Sequence, residues 1–199
     1  LDTLKNRNYN LIINSEQNNQ ITKKYFQSKI LKNYKSLSHT AIINHKKTDN
    51  KIAAQIFTNS GPLAFLPLSD KETSIVFSNN SMNLINKKKL FQLVDKYNTK
   101  YKINKISDVE SFGIKFLVLR NYFFKNVLSF GDLIHRVHPL AGQGFNMTLR
   151  DIQQLSKIID NQISYGLEID KSVLLEFEKK TQHKNYIFGA GINFINNFF

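Results

Sequence analysis

The stretch GDLIHRVHPLAGQGFNMTLRD, residues 131–151, constrains the fold of this 199-residue chain more than any other. It follows NVLSF at 126–130, an apolar run of strand type, and it leads into apolar residues at helical spacing. Gly131 lets the chain turn where the strand ends, and Gly142 and Gly144 stand just before the helix. A strand, a glycine turn and a helix in this order predict an α/β sheet with a ligand loop at the carboxyl end of the strand.

The two halves of this stretch predict different contacts with one ligand. The Asp132 carboxylate suits the hydroxyl groups of a sugar or ribityl chain, because it accepts O–H hydrogen bonds strongly. The second half brings backbone N–H groups close to a ligand, and the N-terminus of the helix adds partial positive charge. A phosphate group would fit there. A reduced flavin fits better, because one edge of its ring becomes anionic and needs donors.

Apolar patterns predict strands over much of the remaining chain. Ile52, Ala54 and Ile56 fall on one face at period two, and SDKE at 69–72 predicts a tight hairpin connection. The predicted extended segments are 9–14, 36–46, 51–58, 61–68, 73–78, 112–119 and 126–130. Residues 36–78 therefore predict a mainly antiparallel sheet.

Four helices are predicted from apolar spacing and capping residues. They cover 20–31, 87–98 with Asn86 as the N-cap, a segment ending near 160, and a last helix that begins near Asp170. The apolar stripes predicted for the last three are Leu90, Phe91, Val94 and Tyr97; Leu149, Ile152, Leu155 and Ile159; and Leu174, Leu175 and Phe177.

Composition narrows the class of protein. Hydrophobic residues make up 41% and charged residues 22%, as in globular domains, and no apolar run approaches the roughly 20 residues that span a bilayer. The first residues lack the layout of a signal peptide, and no cysteine is present for disulfide or thiolate chemistry. The net charge is +13, but only four of 28 basic residues are arginines, which favours a solvated lysine surface over a nucleic-acid interface.

Histidines and phenylalanines near these motifs are weaker candidates. His135 and His138 stand three residues apart, but no third ligand has suitable spacing, so we expect no metal site and a loop-bracing hydrogen bond from His135. Most of the 16 phenylalanines are expected in the core, while Phe65 and Phe77 are candidates for contact with an aromatic substrate. Arg136 is open to two interpretations, a surface charge or a contact to a flavin phosphate.

The stretch 131–151 resembles the second FAD-binding motif of the flavoprotein aromatic hydroxylases, the family that includes para-hydroxybenzoate hydroxylase. It is most similar to the branch that hydroxylates ubiquinone precursors, whose motif runs G-D-A-A-H-x-x-H-P-L-A-G-Q-G-x-N-x-G-x-x-D. GPLAFLPLSDKETSIVFS, residues 61–78, resembles a strand and hairpin from the substrate domain of the same branch. The motif residues that match are Gly131, Asp132, His135, His138, Pro139, Leu140, Ala141, Gly142, Gln143, Gly144, Asn146 and Asp151.

The resemblance implies an FAD-dependent monooxygenase. NAD(P)H would reduce FAD, and dioxygen would supply the oxygen that hydroxylates a small aromatic, lipid-tailed phenol or quinol. Asp132 would hold the ribityl chain, and Pro139 would lie beside the reacting edge of the ring. No side chain of the motif is required as a general acid or base. The residues expected to bind the cofactor are Gly131, Asp132, Pro139, Gly142, Gln143, Gly144, Phe145 and Asn146, with Gly144 at a helix entrance where positive φ is expected and a Cβ has no room.

The chain departs from the family pattern at several points. Leu133 and Ile134 replace two alanines, and Thr148 replaces a glycine. The family's opening G-x-G-x-x-G turn has no counterpart here, and residues 14–17 replace its Gly-Ala-Asp-Gly. We therefore expect the later part of a longer enzyme, which alone would be inactive.

The predicted fold class is α/β (α+β), with part of a Rossmann-like FAD-binding domain joined to a mainly antiparallel substrate sheet and C-terminal helices. The predicted segments are an FAD-domain remnant at 1–35, the substrate sheet with one helix at 36–120, the glycine-motif strand, loop and helix at 121–165, and a C-terminal helical segment at 166–199.

A cytoplasmic enzyme peripheral to the inner membrane, touching the membrane or other ubiquinone-biosynthesis proteins but not nucleic acid, is the expected setting. Two alternatives remain: a basic, non-catalytic module for acidic membrane surfaces or nucleic acid, and a decayed, inactive flavoprotein.

Overall fold

The computed structural model describes residues 9–138 and 142–198, which form two compact units. One unit is Asn33–Ile114, called unit 2 below. The other, unit 1, combines the chain up to Lys32 with Lys115–Phe198. The predicted mixed α/β class, with an antiparallel sheet and C-terminal helices, is confirmed.

Unit 2 is built on an antiparallel sheet in which the strands are mostly neighbours in sequence. β4 pairs with both β3 and β5, and β5 pairs with β2, which also pairs with β6. β7 lies on the other side of β2 in the strand order. The strands are β2 (Lys29–His45), β3 (Ala54–Thr58), β4 (Gly61–Pro67), β5 (Glu72–Asn79), β6 (Ile103–Ile106) and β7 (Glu110–Leu119). The predicted hairpin between the two apolar strands β4 and β5 is present.

One helix packs on one face of this sheet. It is the second helix in the chain, α2, and it spans Lys87–Tyr97. Its predicted N-cap is confirmed, because the Asn86 side chain accepts a hydrogen bond from the Lys89 N–H at 2.9 Å. Leu90 and Val94 are fully buried against the apolar face of the strands. The core that they complete includes Ile43, Leu63, Phe65, Ile75 and Phe77.

Unit 1 contains a small sheet and the two longest helices. β9 (Val127–Ser129) lies between β1 (Ile12–Asn14), to which it is parallel, and β8 (Phe123–Phe124), to which it is antiparallel. The short strand β10 (His135–Arg136) pairs with the end of β7. The helices are α1 (Gln20–Tyr25), α3 (Gln143–Ser164) and α4 (Lys171–Phe198). Their buried side chains form one core with the sheet, including Leu128, Ile134, Leu155, Ile158, Leu174 and Phe177.

Two predictions about elements were wrong. The helix predicted for 20–31 ends at Tyr25, because residues from Lys29 onward belong to β2, which is 17 residues long. The face predicted to be shared by Ile52, Ala54 and Ile56 is confirmed, because all three line one cavity, although Ile52 lies before β3 and is 77% exposed.

The second wrong prediction concerns the apolar stripe of α3. Leu149 and Ile152 are 45% and 46% exposed, and the buried face is formed by Met147, Asp151, Leu155 and Ile158. The buried face of α3 is therefore rotated around the helix axis relative to the predicted stripe, because the carboxylate of Asp151 is paired inside unit 1.

Within the described ranges, no helix has the length and apolar character needed to cross a membrane.

Candidate functional site

The glycine-motif stretch begins where the predictions placed it, at the carboxyl end of β9. β9 is held by β1 in parallel register, with Ile13 opposite Leu128, and the Phe130 N–H donates to the Asn14 carbonyl at 2.9 Å. Gly131 then adopts a φ of +64°, and a short 3-10 turn covers Gly131–Leu133. This left-handed turn requires glycine and directs the next residue out of the sheet.

Asp132 lies in that turn, with its side chain 74% exposed. Its nearest charged neighbour is Arg136, whose Nε is 3.9 Å from the Asp132 Oδ2. At this distance and exposure the ion pair is weak, so the carboxylate remains available as a hydrogen-bond acceptor. The side chain of Arg136 is half-buried.

The two residues that replace the family's alanines fill the interior of unit 1. Leu133 and Ile134 are both buried, and Ile134 belongs to the core of this unit. Thr148, which replaces a glycine, is half-buried on α3 and donates a long hydrogen bond of 3.4 Å to the Gly144 carbonyl. These larger side chains therefore pack into the protein at the base of the loop.

His135 braces the loop, as predicted. Its Nε2 lies 2.6 Å from the Asp151 Oδ2, and both side chains are almost completely buried. Asp151 also accepts from the Asn185 amide at 3.1 and 3.2 Å. Asn185 was missed by sequence reasoning, since it lies 34 residues beyond Asp151 and no local pattern marks it. Among the described His, Asp and Glu side chains, none are grouped as metal ligands would be.

His138 ends the first described part of the loop and is buried. Burial disfavours the imidazolium and lowers the pKa of His138 to about 4. The side chain is therefore neutral at pH 7. The adjoining motif residues Pro139, Leu140 and Ala141, including the predicted contact of Pro139, lie outside the described residues.

The loop rejoins the described chain at the N-terminus of α3. Gly142 is the N-cap residue, with a φ of +67°, and none of the described side chains caps the helix there. A positive φ was expected at Gly144, and this expectation is wrong, because Gly144 lies inside the first helical turn. Gln143 and Gly144 are half-buried, whereas Phe145 and Asn146 are exposed.

These features fit the donor side of a flavin site. The first N–H groups of a helix have no partner inside the helix, and here no described side chain supplies an acceptor. An anionic ligand edge would satisfy these donors and would also interact favourably with the helix dipole. At the other end of the loop, the exposed carboxylate of Asp132 is suited to a polyhydroxyl chain.

The segment that replaces the family's Gly-Ala-Asp-Gly has a structural role of its own. Asn14 is buried and donates to the Thr22 hydroxyl at 2.8 Å, while Asn19 donates to the Asn14 side-chain oxygen at 2.6 Å. Asn19 also caps α1 by accepting from the Thr22 N–H at 2.8 Å. Side-chain amides and hydroxyls thus hold the chain after β1.

Phe65 and Phe77 lie in unit 2, and both rings belong to its core. Phe77 is only 1% exposed, and its burial favours a packing role. Phe65 is also buried but borders a cavity lined by Ile56, Tyr97 and Tyr101. Contact with a substrate stays a prediction for both residues.

The sequence matches a family model described as FAD binding domain over residues 72–166, which include the whole stretch from Gly131 to Asp151. Residues 72–166 are thus similar in sequence to the FAD binding domain family. The predicted resemblance to FAD-dependent hydroxylases is thereby confirmed.

Two curated relatives of this chain carry names from ubiquinone biosynthesis. It is 28% identical over 198 residues to the ubiquinone biosynthesis monooxygenase COQ6, mitochondrial, of Danio rerio, covering 77% of this chain and 40% of the relative. It is 29% identical over 147 residues to the 3-demethoxyubiquinol 3-hydroxylase of Escherichia coli K12, covering 70% of this chain and 37% of the relative. The chain thus spans less than half of each of these relatives.

Solved structures show the same fold at lower identity. PqsL of Pseudomonas aeruginosa, described as a probable FAD-dependent monooxygenase, matches with a TM-score of 0.67 and 16% identity, covering 92% of this chain and 54% of PqsL. The myxobacterial chondrochloren halogenase CndH, an FAD-dependent enzyme, matches with a TM-score of 0.70 and 13% identity, covering 94% of this chain and 46% of CndH.

Proposed function

We propose that this chain belongs to an FAD- and NAD(P)H-dependent monooxygenase that hydroxylates the aromatic ring of a polyprenylated phenol or quinol in ubiquinone biosynthesis. One observation carries the proposal: the uncapped N-terminus of α3 and the exposed Asp132 flank a single loop that matches the family's flavin motif. The names of the two curated relatives support the same reaction class.

Each end of the loop has its own task in binding the cofactor. Asp132 would accept hydrogen bonds from the ribityl hydroxyls, and the backbone from Gly142 to Asn146 would donate to the N1/O2 edge of the flavin ring. Pro139 would lie beside the reacting edge. When bound, FAD would supply the redox chemistry with NAD(P)H and dioxygen, while the protein would orient it and exclude water.

The four predicted segments have different proposed roles. Residues 1–35 and 121–165 contribute to the FAD-binding domain, 36–120 form the substrate sheet, and 166–199 form the C-terminal helical segment. Phe65, which borders a cavity in unit 2, is the better candidate of the two phenylalanines for contact with the substrate.

The setting that suits this reaction is the cytoplasmic side of a membrane that contains the lipid-tailed substrate. The exposed lysines of a chain with a net charge of +13 support peripheral contact with an anionic membrane surface or with other proteins of the pathway. Dioxygen and the reduced nicotinamide complete the list of small partners.

The proposal is tested by titrating the full-length natural protein with FAD, with the matched variants Asp132→Ala and Asp160→Ala. Both remove an exposed carboxylate of unit 1, but only Asp132 lies in the motif. We expect Asp132→Ala to weaken FAD binding by roughly tenfold to a hundredfold, because a hydrogen bond to a charged group is lost, and Asp160→Ala to leave it unchanged. A full-length protein that purifies colourless and takes up no added FAD would exclude the proposed function.

A further inference from the structure

A buried polar network connects β10, which precedes the glycine-motif loop, to the last helix, α4. It starts at His135, whose Nε2 donates to the Asp151 carboxylate over 2.6 Å, and it continues to Asn185 of α4, whose amide donates to both carboxylate oxygens. Asn185 also lies 3.4 Å from the Tyr122 hydroxyl, and the Glu178 carboxylate accepts from the Tyr122 N–H at 2.6 Å. All of these contacts lie within unit 1.

A carboxylate buried to this degree is tolerated only when its oxygens are well paired. Among the described residues, two side chains donate to the Asp151 carboxylate. They are the imidazole of His135 and the amide of Asn185. Removing the amide would leave one oxygen of Asp151 without a donor in an interior position, so the carboxylate would move or attract water. Asn185 thus restrains the position of Asp151.

His135 and Asp151 lie on either side of the loop along the sequence. His135 precedes the loop in β10, and Asp151 lies two turns beyond the N-terminus of α3. Hydrogen bonds hold the successive turns of α3 together. A shift of Asp151 therefore also shifts the backbone donors in the first turn of α3. A displacement of a few tenths of an ångström is enough to impair hydrogen bonds to a ligand.

We propose that Asn185 is a positioning residue for the cofactor, which acts through Asp151 and His135 on the first turn of α3. The proposal rests on the proposed function, since it deepens the account of the same site. It gives α4 a role in flavin binding, although α4 contributes no residue to the motif.

The test compares Asn185→Leu with the control Thr181→Val in the full-length protein. Thr181 lies one turn earlier on α4 and is equally buried, but its hydroxyl donates only within the helix, to the Phe177 carbonyl at 2.7 Å. We expect Asn185→Leu to weaken FAD binding about tenfold and to alter the visible spectrum of the bound flavin. Thr181→Val should lower the melting temperature without either change. Wild-type FAD affinity and spectrum in a destabilised Asn185→Leu protein would overturn the proposal and leave only a structural role.

A second measurement separates this proposal from the function on which it rests. Hydrogen–deuterium exchange of the amides at 147–151, whose N–H groups are bonded within α3, should, without FAD, be faster in Asn185→Leu than in wild type and unchanged in Thr181→Val. Equal exchange in all three proteins overturns the positioning role, whether or not the protein binds FAD. If Asn185→Leu does not fold, Asn185→Ser is measured in the same way, because its smaller side chain leaves room for a bridging water.

Discussion

At the scale of single residues, Gly61 illustrates how one backbone conformation fixes a residue type. Its φ is +125°, and a Cβ built on it would lie 1.9 Å from the Ser78 carbonyl oxygen. Gly61→Ala is therefore expected to lower the free energy of unfolding by about 1–3 kcal/mol, because strain and a clash with backbone act together. Gly113→Ala is the control, since its Cβ would meet no atom within 4 Å. Urea unfolding of both variants checks the prediction, and equal midpoints would contradict it.

His138 gives the protein a pH dependence of definite sign. Its pKa in the folded protein is lowered to about 4 by burial, whereas an unfolded chain titrates near about 6.5. The unfolded state therefore binds more protons between these values, and stability falls as the pH is lowered from about 6.5 to about 4.

We expect the variant His138→Asn to lose this contribution. The difference in unfolding free energy between wild type and variant should change by at most about 1.4 kcal/mol per pH unit within that window and stay constant above it. Chemical denaturation at a series of pH values measures the difference. A difference that is flat across the whole window would show that His138 is protonated as easily in the folded protein as in the unfolded chain.

At the scale of elements, sequence patterns predicted those features that depend on local signals. The N-cap at Asn86, the hairpin between β4 and β5 and the turn at Gly131 each depend on a few adjacent residues, and each is confirmed. The position of Asp132 at the end of β9 follows from the same signals.

Features set by distant partners were not predictable in this way. Residues 29–31 were predicted as the end of a helix but belong to β2, where pairing with other strands outweighs local preference. The buried face of α3 includes Asp151 because His135 and Asn185 satisfy its carboxylate, and no pattern within α3 reveals either partner. The apolar residues Leu149 and Ile152 were consequently assigned to the wrong face.

The first turn of α3 allows a prediction about how closely its backbone approaches the cofactor. A Cβ on Gly144 would meet only the Val137 Cγ2, at 3.7 Å, which is an ordinary contact. Gly144→Ala should therefore leave the folded protein as stable as wild type or slightly more stable, because alanine favours helix. If the backbone donors lie against the flavin, the added methyl group weakens FAD binding all the same.

The control for this variant is Gly191→Ala, which adds a methyl group to a helical glycine of α4 where no atom lies within 4 Å. Paired measurements of the urea midpoint and the FAD dissociation constant separate the two effects. We expect the affinity for FAD to fall only in Gly144→Ala. Unchanged FAD affinity in Gly144→Ala would show that the ligand does not approach α3 at this residue.

At the scale of the whole molecule, each unit has a hydrophobic core of its own. The core of unit 2 lies between its sheet and α2, and that of unit 1 lies around β9 and the helices α3 and α4. The residues proposed to bind the cofactor that the structure describes all belong to unit 1, whereas Phe65 and Phe77 belong to unit 2. Each of the two proposed sets of residues therefore lies within a single packed unit.

The net charge of +13 leads to a prediction about salt. Like charges on a compact protein repel one another, and salt screens this repulsion as the Debye length falls from about 30 Å at 0.01 M to about 10 Å at 0.1 M. The melting temperature should therefore rise by a few degrees when NaCl is increased from about 0.01 to about 0.15 M.

A matched variant replaces the exposed Lys105 and Lys115 with Glu. Each replacement changes the formal charge by two, so the pair lowers it from +13 to +9 and should reduce the salt effect. A melting temperature that falls with salt in the wild type would mean that attractive ion pairs outweigh the repulsion.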